Sequence, residues 1–193
     1  MFFQLELLDL IDEEGLPFSY YHFDTIESNS LEWPWLQGIR FAHPPIEPLL
    51  LSIDFSDHDA GEFADCIASP LPLMTARFRD VLNRCGVTNV DYYPVRIEGR
   101  ERFDTFPEYF AFNIVGKVAI ADESQSKYIQ AFGRMGANLY DSLTIDSKAA
   151  TGLDFFRMAE HLATIIVSER VKIIAAQMGI DTLNYISLDK PKN

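Results

Sequence analysis

Two stretches of this chain carry the same pattern of helix, glycine and strand, and that repetition constrains the fold more than any other feature. In the first, Met74, Phe78, Val81 or Leu82, and Cys85 recur at helical spacing, with Arg77, Arg79 and Arg84 on other faces. Ser69 precedes this helix, and Gly86 follows as a residue free to end it in left-handed backbone. A strand is predicted over residues 90–97, where Pro94 implies an edge or a bulge. In the second stretch, Val167, Val171, Ile174 and Met178 are spaced i, i+4, i+7, i+11. Ser168 suits the N-cap, Glu169 suits the first turn, and Gly179 closes the helix ahead of a strand over 183–188. The two align without a gap. Gly86-Val87-Thr88-Asn89-Val90-Asp91-Tyr92 matches Gly179-Ile180-Asp181-Thr182-Leu183-Asn184-Tyr185, and Arg77-Phe78-Arg79 matches Arg170-Val171-Lys172. Either the element is duplicated or two helix-to-strand turns obey the same rules, and shared turn chemistry is the preferred reading. Both readings place two helices on a shared sheet.

The remaining apolar segments supply strands. Residues 2–11 read as a strand or a short helix, and residues 18–24 and 48–54 as strands. Residues 109–120 read as one long or two short buried strands, with further short strands at 143–146 and 155–157. Residues 25–47 hold Trp33, Pro34, Trp35, Pro44 and Pro45 with little periodicity, which predicts an irregular segment. Residues 56–68 read as an acid-rich loop or short helical turn, and 121–141 as a polar connection. The expected fold class is α/β (α+β): a mixed sheet packed by two principal helices, with an irregular Pro/Trp-rich N-terminal segment. A length of 193 residues suits a single domain over residues 1–193.

Charge is unevenly placed. Residues 1–70 hold one basic residue, Arg40, against fourteen acids, and so carry the whole net charge of −13. An acidic face repels nucleic acid and anionic membrane and draws basic partners inward. The same acidity also serves solubility alone, and composition does not separate the two. No apolar run reaches the roughly 18 residues that span a bilayer. The first residues are acidic and lack the positive charge of a secretory signal, so a cytoplasmic location is expected. Cys66 and Cys85 fall in or beside apolar stretches and read as small buried hydrophobes rather than a disulfide or zinc framework.

Catalytic motifs are absent. There is no Gly-x-Ser-x-Gly elbow and no glycine-rich phosphate loop, and His22, His43, His58 and His161 are scattered. Arg96, Arg100 and Arg102 give only weak basic–aromatic interleaving within an acidic whole, so nucleic acid is not an expected partner. Asp54-Phe55-Ser56-Asp57-His58-Asp59-Ala60-Gly61-Glu62 comes nearest to a metal motif, but its order fails the calcium-loop template. It reads as a solvated acidic loop or as an acidic contact patch, and no metal or cofactor is expected. Trp33-Pro34-Trp35 suits either packing beneath the irregular segment or the energetic centre of an interface.

One family pattern emerges from the second half. Its features are Val87-x-x-Val90-x-Tyr92-x-Pro94-Val95, then Tyr109-Phe110-Ala111-Phe112-Asn113-Ile114-Val115, and Val118-Ala119-Ile120-x-Asp122 followed by Ser124 and Ser126. Leu143-Thr144-Ile145-Asp146 ahead of Phe155-Phe156-Arg157, and Ile166-Val167-Ser168-Glu169-Arg170 ahead of the last helix, complete it. In their order and spacing these resemble the bacterial immunity proteins of polymorphic toxin systems, the family typified by a myxobacterial immunity domain. The resemblance covers residues 62–190 and leaves residues 1–61 as an acidic N-terminal portion. It implies a protein that binds and neutralises a cognate toxin without catalysis, and it carries over no defined contact residues. Charge and aromatic content nominate Trp33, Trp35, Asp54, Asp57, Asp59, Glu62 and Asp65 as toxin-binding. Two alternatives stay open: a small metal-dependent or acid–base hydrolase using Asp54, Asp57, His58 and Asp59, and a regulatory interaction module with another partner.

Overall fold

A computed structural model describes residues 1–6, 22–25, 33–54, 63–68, 70–129 and 139–188. In chain order the elements are β1 (Phe2–Glu6), β2 (His22–Thr25), β3 (Leu49–Asp54), β4 (Cys66–Ile67), β5 (Leu73–Thr75), α1 (Ala76–Arg84), β6 (Val90–Glu98) and β7 (Tyr109–Ile114). Then come β8 (Lys117–Val118), β9 (Lys127–Ile129), β10 (Leu139–Ser142), β11 (Phe155–Met158), β12 (Ile165–Ser168), α2 (Glu169–Gln177) and β13 (Asn184–Ser187). The fold is mixed α+β, as the pattern predicted, but the strands form two large sheets rather than one. The first runs β2-β3-β6-β7-β5-β4, the second β13-β1-β12-β11-β8, and β9 pairs with β10 alone. The pairs β3–β6 and β8–β11 are parallel and the others antiparallel.

The two sheets repeat one another around the two helices. In the first, β7 lies between β5 and β6, with β4 outside β5. In the second, β1 lies between β12 and β13, with β11 outside β12. The registers agree residue by residue. Thr75 faces Tyr109 as Ser168 faces Phe2, and Tyr92 faces Phe112 as Tyr185 faces Leu5. Each helix is nine residues long and follows directly on its strand. The Ala76 N–H donates to the Glu108 carbonyl at 2.8 Å, and the Glu169 N–H donates to Met1 at 2.9 Å. Arg79 lies 4.1 Å over the ring of Phe110, and Lys172 lies 4.3 Å over Phe3. Shared turn chemistry explains none of these pairings, so the duplicated element, and not the preferred reading, is the one the structure supports.

Local chemistry accounts for the helix boundaries. Leu71, Leu73 and Met74 are fully buried and extend the backbone as far as Thr75, so α1 starts after Thr75 rather than soon after Ser69, which lies outside the described residues. Gly86 and Gly179 sit at φ 73° and 71°, the left-handed conformation that lets the chain leave each helix and turn back to the sheet. Pro94 is exposed and marks a change of neighbour. Residues 90–94 of β6 pair only with β7, and β3 joins from Val95 onward, so the missing N–H interrupts no ladder.

The shared core joins the two halves. Phe78, Val81 and Leu82 of α1 and Val171 and Ala175 of α2 meet Phe3, Met74, Phe112, Phe155 and Val167 in one cluster. Phe155 of the second half lies edge-on to Phe78 at 6.1 Å and tilted to Phe112 at 6.2 Å, both in the first half. Burial of each such side chain stabilises by about 1.5–3 kcal/mol. The opposite sheet faces bury separate clusters, one around Trp35, Leu51, Leu73 and Tyr109 and one around Ile120, Phe156, Met158 and Ile166.

Candidate binding site

The repeat generates two related polar niches, one at each helix start. The first N–H groups of a helix lack partners within the helix. Thr75 and Ser168 supply them, their hydroxyl oxygens accepting from the N–H groups of Phe78 at 3.3 Å and Val171 at 3.4 Å. Each hydroxyl then donates to an aspartate, Thr75 to Asp65 and Ser168 to Asp154. Each aspartate carbonyl accepts from the N–H of its cap residue, at 3.0 and 2.9 Å. Each carboxylate also pairs with the arginine two residues beyond the cap, Arg77 or Arg170.

The two niches differ in how completely they are filled. Asp65 has no exposed surface. Arg77 donates to it through Nε at 2.6 Å and Nη2 at 2.5 Å, and these hydrogen bonds push the guanidinium pKa still higher. Thr182 donates to Asp65 Oδ2 at 2.6 Å and accepts from the Asp65 N–H at 3.0 Å. Asp154 keeps 19% of its side-chain surface. Arg170 reaches it with Nη1 alone at 3.4 Å, because its Nη2 is drawn to the Arg84 carbonyl at 3.2 Å. Asn89 holds the place that Thr182 holds in the other half, yet its Nδ2 donates to the carbonyls of Phe155 at 3.1 Å and Val115 at 3.4 Å.

A half-open cavity of about 380 Å³ lies beside Asp154, with Thr88, Gly116, Lys117, Gly152 and Arg170 among its walls. That volume falls in the range of ligand pockets. Gly86, Gly116 and Gly152 each turn the chain at positive φ around it, and the space where a Cβ would stand at each is empty.

The residues nominated from sequence are spread over several environments. Trp33 is half-buried, and its Nε1 donates to the His43 carbonyl at 2.9 Å. Trp35 is buried, edge-on to Phe41 at 5.0 Å and to Tyr93 at 5.6 Å. The buried guanidinium of Arg157 donates to the Trp35 carbonyl at 3.4 Å, and burial pulls its pKa down to about 10. Asp54 ends β3 opposite His22. Asp57, His58, Asp59 and Glu62 lie outside the described residues. Asp65 and Trp35, expected at a contact surface, have side chains enclosed by the fold, where they support α1 and the 33–43 segment. The Asp154, Ser168 and Arg170 niche was not nominated. Its visible traces are the Ser168 N-cap and the gap-free match of Arg77 to Arg170.

That segment is tied to the cavity wall. The Gly38 carbonyl accepts from the Gly116 N–H at 2.7 Å, Asn113 Nδ2 donates to the Ile39 carbonyl at 2.7 Å, and Arg40 pairs with Asp91 at 3.0 Å. Ile39 is left 53% exposed. Among the described residues, no group of three or more His, Cys, Asp or Glu side chains is placed to hold a metal, and no helix is long and apolar enough to cross a membrane.

No curated protein matches the chain. The profile of the Immunity protein family (Imm11) matches residues 51–188 and takes in both helices, both aspartate niches and the cavity. By that match the chain belongs to the Immunity protein family (Imm11).

Proposed function

We propose that this protein neutralises a cognate toxin by binding it stoichiometrically, with no chemistry of its own. Family membership over residues 51–188 is the observation that carries the reading. The condition of the cysteine thiols supports it. Burial pushes the thiols of Cys66 and Cys85 up, the reverse of what activates a cysteine. The reading extends to a single domain over residues 1–193, a cytoplasmic site of action and a basic toxin drawn by the fourteen acids of residues 1–70. Trp33, Asp54, Asp57, Asp59 and Glu62 stand as contact residues, with the buried Trp35 and Asp65 supporting the scaffold.

Co-expression with the toxin encoded by the adjacent gene tests this. The expected result is a complex that survives gel filtration and restores growth. A neighbouring gene with no toxin activity, and no complex, overturns the reading. Acidic steering has its own readout. The association rate should fall as salt rises toward 1 M, where charges are screened beyond roughly 3 Å. A salt-independent rate removes the steering and leaves the inhibition standing.

A further inference from the structure

We propose that the cavity beside Asp154 receives a loop of the cognate toxin that carries a serine or threonine, whose hydroxyl donates to the Asp154 carboxylate. The proposal rests on the immunity reading and assigns its contact surface. The internal repeat supplies the reasoning, because the chain already contains a filled version of the same site. In the filled niche, a turn of the chain brings Thr182 onto Asp65, and its hydroxyl donates to Oδ2 at 2.6 Å. In the open niche the matching turn carries Asn89, which bonds to main-chain carbonyls and gives nothing to Asp154. Arg170 does not make up the difference, since it is shared with the Arg84 carbonyl and touches Asp154 only at 3.4 Å. Asp154 is therefore short of the donor that its counterpart has, and about 380 Å³ of space stands beside it.

The walls suit a peptide loop. Gly86, Gly116 and Gly152 place no side chain at three points of the wall, so another backbone can approach closely there. Lys117 and Arg170, both exposed, offer N–H groups to the carbonyls of an entering loop. The tethered segment at Gly38 meets Gly116 on the same wall, which brings the 33–43 segment alongside the cavity.

The test uses the full chain and the purified toxin domain encoded by the adjacent gene. Asp154→Ala removes the acceptor. Gly152→Asn fills the mouth with a residue that tolerates positive φ and leaves the helix cap intact. Asp104→Ala, at an exposed acid outside the cavity, controls for the loss of one charge. Wild type and the control should bind alike. Asp154→Ala and Gly152→Asn should each weaken the complex by about tenfold or more, mainly through faster dissociation. Thermal melting confirms that the variants are folded. Alanine substitution of the toxin's exposed serines and threonines should find one whose effect is non-additive with Asp154→Ala. If wild type binds and both cavity variants bind as the control does, the cavity lies outside the interface and only this proposal falls. If both weaken binding but no hydroxyl couples to Asp154, the assignment of the donor is overturned. A wild-type chain that binds no toxin defeats the immunity reading itself.

Discussion

The two niches allow one perturbation to be measured twice in the same molecule. Asp65→Ala removes the acceptor for the Thr75 hydroxyl, the Thr182 hydroxyl and both Arg77 contacts, at a site with no exposed surface. A buried hydroxyl left without a partner costs about 1–3 kcal/mol. Arg77 has 46% of its side chain exposed and can return to water, so its share lies well below that of a buried pair. The sum is about 3–5 kcal/mol, a large part of the roughly 5–15 kcal/mol that holds a domain together. Asp154→Ala loses one hydroxyl contact and one long, largely exposed ion pair, and should cost about 1–2 kcal/mol. Urea unfolding of both variants measures the difference as a shift of midpoint at constant slope. Thr182→Val alone should reproduce part of the Asp65→Ala loss, and the double variant should lose little more than Asp65→Ala, since each removes the other's partner. Equal losses at Asp65 and Asp154, or a larger one at Asp154, would refute the claim that one niche is filled and the other open.

Three further outcomes follow from burial and backbone geometry. Burial raises the phenols of Tyr92, to about 12, and of Tyr109 and Tyr185 above their ordinary value, so the unfolded chain releases their protons first. Their contribution to stability is present below about pH 10 and is lost as pH rises beyond it, so tyrosinate absorbance should appear together with loss of circular dichroism. Titration of all eight tyrosines with the fold intact would contradict that. Cys66 and Cys85 should resist a thiol-reactive dye until denaturant is added, and rapid labelling of the native chain would show the burial to be wrong. Gly38→Ala should cost more than Gly86→Ala in thermal melting. Both positions hold positive φ, worth about 1–2 kcal/mol against a side chain, but a Cβ at Gly38 also meets the Gly116 carbonyl oxygen at 3.0 Å while Gly86 faces open space.

Much of the local structure is legible in the sequence because short-range rules govern it. The Ser168 cap, the Gly86 and Gly179 turns and most strands follow from spacing and side-chain type. What sequence reasoning misses is set by distant parts of the chain. The repeat runs β4-β5-α1-β6-β7 in one half, but the last strand of the other half, β1, comes from the start of the chain. A gap-free comparison therefore stops at the turns and leaves shared turn chemistry as the simpler reading. Asp65 and Asp154 are obscured for a related reason. The β11–β12 hairpin is longer than the β4–β5 hairpin, so Asp154 precedes its cap residue by 14 positions and Asp65 by 10, and the two acids fall out of step. Burial then reverses what their charge suggests: in Asp65 an acid taken for a partner contact is an internal acceptor.

A repeated scaffold holds each local site twice, so departures from the repeat point to what folding alone does not require. The caps, arginines, glycine turns and cation–π contacts recur in both halves, which identifies them as the common requirements of the framework. Two departures meet at one place. The Thr182 closure has no equivalent at Asp154, which leaves a cavity there. The 33–43 segment, held by Trp35 against the first sheet, reaches across to Gly116 on the wall of that same cavity. One departure removes a contact and the other adds a neighbour, and they involve separate parts of the chain. The closed niche at α1 shows that an equivalent helix start folds without an open cavity beside it. Their meeting at one cavity is what adds the open niche, with the 33–43 segment beside it, to the expected contact surface.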